Sequence, residues 1–199
     1  MTKIKLCGLT LPCDIECVNK LLPEYIGFVF SPKSKRYISP ENAEKLRSIL
    51  DGRITSVGVF VDENIDVIAD LAKRKIIDAA QLHGNENDEY IANLRKEVDC
   101  PIIKAFRIES VADILMADNS SADYVLLDSG GGTGTVFDHS LLKGIARPYF
   151  LAGGLDSENV ETAINQLAPF AVDASSSLET DGFKDKMKMT AFVNAVRKE

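Results

Sequence analysis

A cysteine ends the first apolar segment, in the stretch KIKLCGLT that runs from Lys3 to Thr10. Alternation along a strand would place Lys5 and Cys7 on one face of it. A free cysteine is usually a small buried hydrophobic residue. At the exposed end of a strand, beside lysines, it is also a candidate base, because nearby cations lower the pKa of a thiol. We therefore expect Lys5 to lower the pKa of Cys7, and Gly8 to let the chain turn away from a bound substrate.

The same face of later apolar segments also ends in polar residues. Read with period two, this face carries Gln81, His83, Lys104, Asp128 and Asp173. Carboxyl ends of parallel strands share one edge, so we expect these side chains to meet at one mouth together with Lys5 and Cys7. Buried charges need partners, so Lys5 and Lys104 should be neutralised by Asp128, Asp173 or a ligand. Any single member could also be scaffolding, such as a buried ion pair.

Two segments could bind an anion. They are LAGGL, after the seventh apolar run, and DASSS, after the eighth. Gly153 and Gly154 would allow the backbone close to a ligand, although glycines also serve in simple turns. Ser175 and Ser176 would supply hydroxyl and N–H groups at a helix start, where negative charge is favoured. Together the two loops predict a phosphate site.

Two further loops carry functional signals. SPKSKRYISP offers Lys33, Lys35 and Arg36, and an arginine can bind a carboxylate with two parallel hydrogen bonds. A basic loop is equally often solvated surface. The glycine-rich SGGGTGTVFD is typical of a loop that closes over a site and excludes water, or of a plain connector.

Eight short apolar runs alternate with amphipathic segments along the whole chain. Strict alternation of this kind predicts a parallel sheet, and eight repeats without a linker fit one closed (β/α)8 barrel over residues 1–199. An open doubly wound sheet is the alternative, but CGLTLPCD lacks its glycine-rich phosphate turn. The segment SVADILMADNSS is weakly amphipathic, so the fifth helix is expected to be short or truncated.

Composition narrows the classes of partner. The net charge of −7, with no block of like charges, argues against nucleic acid or an anionic membrane surface. Without an apolar span or a signal-peptide layout at the N-terminus, we expect a cytoplasmic protein with four free thiols. Cys13 and Cys17 are four apart on one predicted helix, but no second ligand pair accompanies them, so no metal site is predicted.

In chain order these motifs resemble the phosphoribosylanthranilate isomerase family. The resemblance covers nearly the whole chain and rests on the segments KIKLCGLT, FSPKSKRYIS, VGVFV, QLHG, LLDSGGGTGTVFD, FLAGGL, VDASSSLET and GFKDKMKM. It implies a single (β/α)8 barrel that needs no cofactor or metal. It also implies an Amadori rearrangement in tryptophan biosynthesis, from N-(5-phosphoribosyl)anthranilate to 1-(2-carboxyphenylamino)-1-deoxyribulose 5-phosphate.

The resemblance also implies residue roles. Cys7 would be the general base, Asp128 the general acid and Arg36 the partner of the anthranilate carboxylate. The substrate phosphate would bind at Gly153, Gly154, Ser175 and Ser176, and three residues would support the site, namely Lys5, His83 and Asp173.

This chain departs from the family pattern at two positions. Ser177 stands where the family usually has glycine, and His139 stands where it usually has tryptophan. Neither position is the predicted acid or base, so the predicted reaction is unaffected.

Two other functions stay open at this point. Indole-glycerol-phosphate synthase is a related barrel that uses lysine and glutamate at strand ends; here Lys104 could supply the lysine, but no glutamate ends a strand. A catalytically inactive phosphate-binding barrel is the other, which the presence of both Cys7 and Asp128 disfavours. The family occurs as monomers and as homodimers, and the sequence does not select between them.

Overall fold

The computed structural model describes residues 1–128, 142 and 144–198. Eight parallel strands close into a barrel in the order β1 to β8, which confirms the predicted (β/α)8 architecture over the open sheet. The barrel strands are β1 Lys3–Cys7, β2 Tyr25–Val29, β3 Thr55–Phe60, β4 Ala79–Leu82, β5 Ile102–Arg107, β6 Tyr124–Asp128, β7 Tyr149–Ala152 and β8 Ala171–Ala174. The glycine-rich segment 129–138 and His139 lie outside the described residues.

Helices surround the barrel, and four of those in the described ranges start at a side chain that caps their free N–H groups. Ser39 caps α2, Asn64 caps α3, Asn87 caps α4 and Asp185 caps α7, each accepting a backbone N–H bond. The helices of the described ranges are α1 Pro12–Leu21, α2 Pro40–Ser48, α3 Ile65–Lys73, α4 Asp88–Glu97, α5 Val111–Asp118, α6 Val160–Leu167 and α7 Lys186–Arg197.

The fifth helix is short, as expected. It has eight residues, and α6 is equally short. Within the described ranges, no helix has both the length and the apolar character that crossing a bilayer requires.

A small hairpin follows the barrel's last strand. After a short 3-10 helix, Ser176–Leu178, strand β9 (Glu179–Thr180) pairs antiparallel with β10 (Phe183–Lys184). Its turn is Asp181–Gly182, and both residues have positive φ, 53° and 83°. Two positive φ values are typical of the type I′ turn, which Asp-Gly favours. The hairpin therefore places Glu179 directly opposite Lys184.

The core has two layers, as expected for this barrel. Aliphatic side chains fill the space between strands and helices, and Phe28, Phe60 and Phe192 are fully buried aromatic members of that layer. Inside the barrel, a second cluster includes Val57, Leu126 and Phe150. Above it, toward the carboxyl ends of the strands, the interior becomes polar.

Candidate active site

A cavity of about 500 Å³ opens at the carboxyl end of the barrel. Its wall contains nearly all of the predicted site residues, and it also contains Gln81 and Ser177. The predicted members in the wall are Cys7, Arg36, His83, Asp128, Gly153, Gly154, Asp173, Ser175 and Ser176. Lys5 lies beneath the cavity and is fully buried. The prediction that strand ends and loops converge on one mouth is thus confirmed for this set.

The Cys7 thiol fits against a glycine of the neighbouring strand. Cys7 is in register with Gly27 on β2, and a Cβ at Gly27 would lie 2.5 Å from the thiol sulfur. The chain then turns at Gly8, whose φ is +81°. A side chain at Gly8 would strike Arg36, so Gly8 also makes room for that arginine. Gly8 thus has the positive φ that a change of chain direction requires, and its effect toward a bound substrate stays a prediction.

The expectation that the pKa of Cys7 is lowered is wrong, because its net pKa is raised. Burial raises the pKa of the Cys7 thiol, and the opposing charge of Lys5 does not outweigh it. The Lys5 charge is in turn partly countered by Asp173, whose carboxylate accepts two hydrogen bonds from the Lys5 ammonium, at 3.0 and 3.1 Å. Asp173 also adds its own negative charge near the thiol. Cys7 is therefore a neutral thiol near neutral pH.

The Lys5–Asp173 pair is a buried ion pair between adjacent strands. The two residues are in register on β1 and β8, and their side chains are 0% and 9% exposed. Burial lowers the pKa of Lys5, but the charges of Asp173 and Cys7 and the hydrogen bonds to both together outweigh it, and the net pKa is raised. This contact confirms that Asp173 neutralises Lys5. An isolated charge at this depth would be very costly, so each of the two residues needs the other.

Asp128 lies opposite His83, and Gln81 orients the His83 ring. The Nε2 atom of His83 is 3.7 Å from a carboxylate oxygen of Asp128, and its Nδ1 atom is 3.2 Å from the amide nitrogen of Gln81. An amide nitrogen only donates, so Nδ1 accepts and the ring proton of neutral His83 is on Nε2, facing Asp128. The other amide atom, Oε1 of Gln81, is buried and has no hydrogen-bond partner among the described residues.

Lys104 does not belong to the mouth, and this prediction is wrong. Its neighbours Ile103 and Ala105 point into the barrel, so Lys104 points outward toward the helices. Its ammonium donates to Glu86 at 2.8 Å and to the Gly84 carbonyl at 2.7 Å. Period-two reading put it on the wrong face because β5 is shifted by one residue relative to that reading. Lys104 is accordingly not placed to supply the lysine of indole-glycerol-phosphate synthase chemistry.

Arg36 reaches the cavity wall, but its guanidinium is held by a glutamate that the sequence did not single out. Glu179 accepts from Nε at 2.5 Å and from a terminal nitrogen at 2.9 Å. Lys184 donates to the same carboxylate at 2.6 Å. The signal for these two residues was the Asp-Gly turn between them, which makes them face each other across a hairpin. Of the other two basic residues in this loop, Lys33 is in the cavity wall and Lys35 is exposed.

The two predicted phosphate loops lie side by side. Gly153 and Gly154 have φ values of +102° and +67°, which non-glycine residues rarely adopt. The Ser177 hydroxyl donates to the Leu155 carbonyl at 2.5 Å and so connects the two loops. The Ser175 hydroxyl donates to the Cys7 carbonyl at 3.0 Å. Its proton is therefore engaged, contrary to the expectation that this hydroxyl is available to an anion.

The remaining cysteines lie away from the cavity. Cys13 is exposed and Cys17 is buried on α1, as predicted, and all four cysteines are free thiols. In the part of the chain that the structure describes, no three His, Cys, Asp or Glu side chains are grouped closely enough to hold a metal ion together.

Comparison with known proteins decides the family. The family model described as N-(5'phosphoribosyl)anthranilate (PRA) isomerase matches residues 4–195. The chain belongs to the phosphoribosylanthranilate isomerase family. The N-(5'-phosphoribosyl)anthranilate isomerase of Clostridium acetobutylicum is 45% identical over 100% of this chain and 99% of its own. That of Endomicrobium trichonymphae is 43% identical, over 99% of both chains.

Solved members of the isomerase family have the same fold. The phosphoribosylanthranilate isomerase of Thermotoga maritima is 37% identical and superposes with a TM-score of 0.92, over 100% of both chains. Another isomerase structure, 36% identical with a TM-score of 0.89 over 100% of both chains, was solved in complex with reduced 1-(o-carboxyphenylamino)-1-deoxyribulose 5-phosphate.

Proposed function

We propose that the chain catalyses the Amadori rearrangement of N-(5-phosphoribosyl)anthranilate in tryptophan biosynthesis, with Cys7 as general base and Asp128 as general acid. The observation that supports these roles best is that the two side chains, from β1 and β6, are in the wall of one cavity. The substrate's sugar would lie between them.

The two proton transfers require two different groups. Opening the furanose ring requires a proton on its oxygen, which Asp128 donates as a carboxylic acid, and an imine forms between C1 and the anthranilate nitrogen. The base then takes the proton from C2, and the resulting enamine tautomerises to the ketone. Each transfer needs a group positioned at its own atom, and such positioned groups contribute about a hundredfold or more to a rate.

The basic group is a thiol that burial keeps neutral in the free enzyme. It becomes a base when it loses its proton, so the fraction of enzyme with an ionised base increases as the pH approaches the raised pKa of Cys7. The charge of Lys5 lowers the pKa of Cys7 and so favours its ionisation, although burial keeps the net pKa raised. The Lys5–Asp173 pair also supports the position of Cys7. We assign to His83 the role of orienting the carboxyl group of Asp128, which is 3.7 Å from its Nε2 atom.

The two ends of the substrate are bound by the loops. Arg36 binds the anthranilate carboxylate, which a guanidinium can hold with two hydrogen bonds. The phosphate binds where the turn of Gly153 and Gly154 meets Ser175 and Ser176, a common location in this fold. Ser176 supplies its hydroxyl and N–H groups, whereas Ser175 contributes its N–H, because its hydroxyl is bonded to Cys7.

We further propose that residues 1–199 form one domain, which works in the cytoplasm as a monomer or a homodimer. Its substrate is a small phosphorylated molecule, and we expect it to bind no nucleic acid, membrane or cofactor. Light scattering on the purified protein distinguishes the two oligomeric states.

The activity test follows the fluorescence of freshly generated phosphoribosylanthranilate. The purified chain should abolish this fluorescence without forming indole-glycerol-phosphate. Cys7→Ser and Asp128→Asn, which preserve the shape of each side chain, should each lower kcat by about a hundredfold or more. Cys13→Ala on α1 is the matched control and should retain activity. Wild-type kcat in either site variant would refute the proposed roles.

A further inference from the structure

The hairpin β9–β10 is an addition to the barrel repeat, and it carries two charged side chains that meet beneath the mouth. Glu179 and Lys184 are cross-strand neighbours. Their side chains are only 13% and 2% exposed, although the hairpin is at the protein surface. Burial of two ionised groups is costly unless they are paired. The other contacts that these two side chains make therefore indicate the role of the pair.

Both residues bind groups of the candidate site. Glu179 holds two nitrogens of Arg36 in a bidentate pair. Lys184 donates to the Ser175 carbonyl at 2.9 Å as well as to Glu179. Ser175 in turn is bonded to the carbonyl of Cys7. One continuous network thus joins the arginine loop, the phosphate loop and the strand of the catalytic thiol.

Among the charged members of this network, Arg36 alone reaches the cavity. Arg36 is in the described cavity wall, whereas Glu179 and Lys184 are not. A guanidinium has five N–H donors, and Glu179 takes one from Nε and one from a terminal nitrogen. Three donors remain, on the two terminal nitrogens. Their shared edge matches the spacing of a carboxylate.

We propose that Glu179, fixed by Lys184, is the positioning residue that directs the free edge of Arg36 toward the substrate carboxylate. This inference rests on the proposed function. Glu179 does not touch the substrate; it removes the rotational freedom of a long side chain before the substrate arrives, which lowers the entropic cost of binding. The network holds two cations and one carboxylate, so one positive charge is left for the anthranilate carboxylate.

Glu179 remains ionised in this position. Burial raises the pKa of its carboxyl group, but the hydrogen bonds from Arg36 and Lys184 outweigh that effect and lower the pKa. An ionised carboxylate also opposes a second one by charge repulsion. Glu179 could therefore act in the opposite sense, as a competitor that occupies Arg36 and weakens substrate binding. The two roles predict opposite effects of removing its charge.

The experiment compares Glu179→Gln with the wild type in two assays. The first measures kcat and KM for phosphoribosylanthranilate. The second measures inhibition constants for anthranilate, for aniline, which lacks the carboxylate, and for inorganic phosphate. Glu44→Gln is the matched control, because Glu44 pairs with Arg74 on the surface at 2.7 Å, away from the cavity. Thermal unfolding verifies that each variant is folded.

Glu179→Gln should raise KM by about tenfold with little change in kcat, which is the signature of binding lost equally in ground and transition states. Anthranilate inhibition should weaken by a similar factor, while aniline and phosphate inhibition stay unchanged. Glu179→Asp keeps the charge, but its side chain is one methylene shorter and cannot reach both nitrogens equally well, so its KM should lie between those of the wild type and Glu179→Gln. It also serves as the test if Glu179→Gln does not fold.

Tighter anthranilate inhibition in Glu179→Gln would show a competitor and overturn the proposal. Equal weakening of anthranilate and phosphate inhibition would show a merely structural role and would also overturn it. A wild-type protein that neither isomerises phosphoribosylanthranilate nor binds anthranilate would instead refute the proposed function itself.

Discussion

The fit of Cys7 against Gly27 makes a quantitative prediction. In Gly27→Ala the new methyl carbon would be 2.5 Å from the thiol sulfur and 3.2 Å from the Cα of Cys7. Favourable contacts between such atoms lie at about 3.5–4.0 Å, so the thiol must move by about 1 Å. The φ of Gly27 lies outside the left-handed region, so alanine causes no backbone strain there. The whole effect is steric.

The expected cost appears in both activity and stability. A misplacement of about 1 Å in a reacting group lowers rates by about a hundredfold, so kcat should fall by about that factor. Overpacking a core position costs about 1–3 kcal/mol, which in a chain of this size lowers the Tm by about 2–12 °C. The assays are substrate fluorescence decay and thermal unfolding. Gly52→Ala is the control, because nothing lies within 4 Å of a Cβ there.

A Gly27→Ala protein with wild-type kcat would refute this reasoning. It would mean either that the thiol can leave its position without loss, and is not the base, or that Gly27 is not next to it. A loss of stability in Gly52→Ala as large as that in Gly27→Ala would show that glycine replacement itself, rather than contact with Cys7, is responsible.

Three further predictions concern charge and the phosphate loops. Lys5→Met leaves Asp173 buried without its partner, so denaturant unfolding should show a loss of about 3–5 kcal/mol. The pKa of Lys5 is raised in the folded state, so the contribution of Lys5 to the free energy of unfolding is complete below the ordinary lysine pKa and is lost as the pH rises above it. The wild type should therefore lose stability more steeply above about pH 10.4 than Lys5→Met does. Parallel slopes of stability against pH in the two proteins would be inconsistent with the pair. In Asp128→Asn the residual activity no longer depends on a protonated Asp128, so the raised pKa of Cys7 predicts that the kcat/KM of this variant keeps rising above about pH 8.5, whereas a plateau already reached near neutrality in this variant would count against a buried neutral thiol. Ser177→Gly removes the hydrogen bond between the two phosphate loops. The inhibition constant of inorganic phosphate should therefore rise by about two- to tenfold, which corresponds to the free energy of one neutral hydrogen bond. Unchanged or tighter inhibition would mean that this hydrogen bond does not organise the site.

The barrel could be predicted because its signal is repeated. Each apolar run needs a helix to cover it, and eight such repeats leave few architectures. The loops were predictable where glycine is required by the backbone, as at Gly153 and Gly154. The face of a strand was less predictable, because a shift of one residue in reading β5 reverses every side chain on it. Lys104 was misplaced for this reason.

The electrostatics of the site could not be predicted from the sequence. Lys5 precedes Cys7 by two residues, and that spacing alone indicates a lowered thiol pKa. Whether the lysine charge is available depends on Asp173, which is adjacent only after the barrel closes between β1 and β8. The same holds for Glu179, which reaches Arg36 from 143 positions away in the chain. Contacts of this kind depend on closure of the whole fold.

The assignment of base and acid is tested most directly with substrate deuterated at C2. In Cys7→Ser, removal of the C2 proton becomes the slow step, so the isotope effect on kcat should be larger than in the wild type. In Asp128→Asn, ring opening becomes slow instead, and the isotope effect should fall toward unity. The reverse pattern, or equal isotope effects in the two variants, would contradict the roles of Cys7 and Asp128.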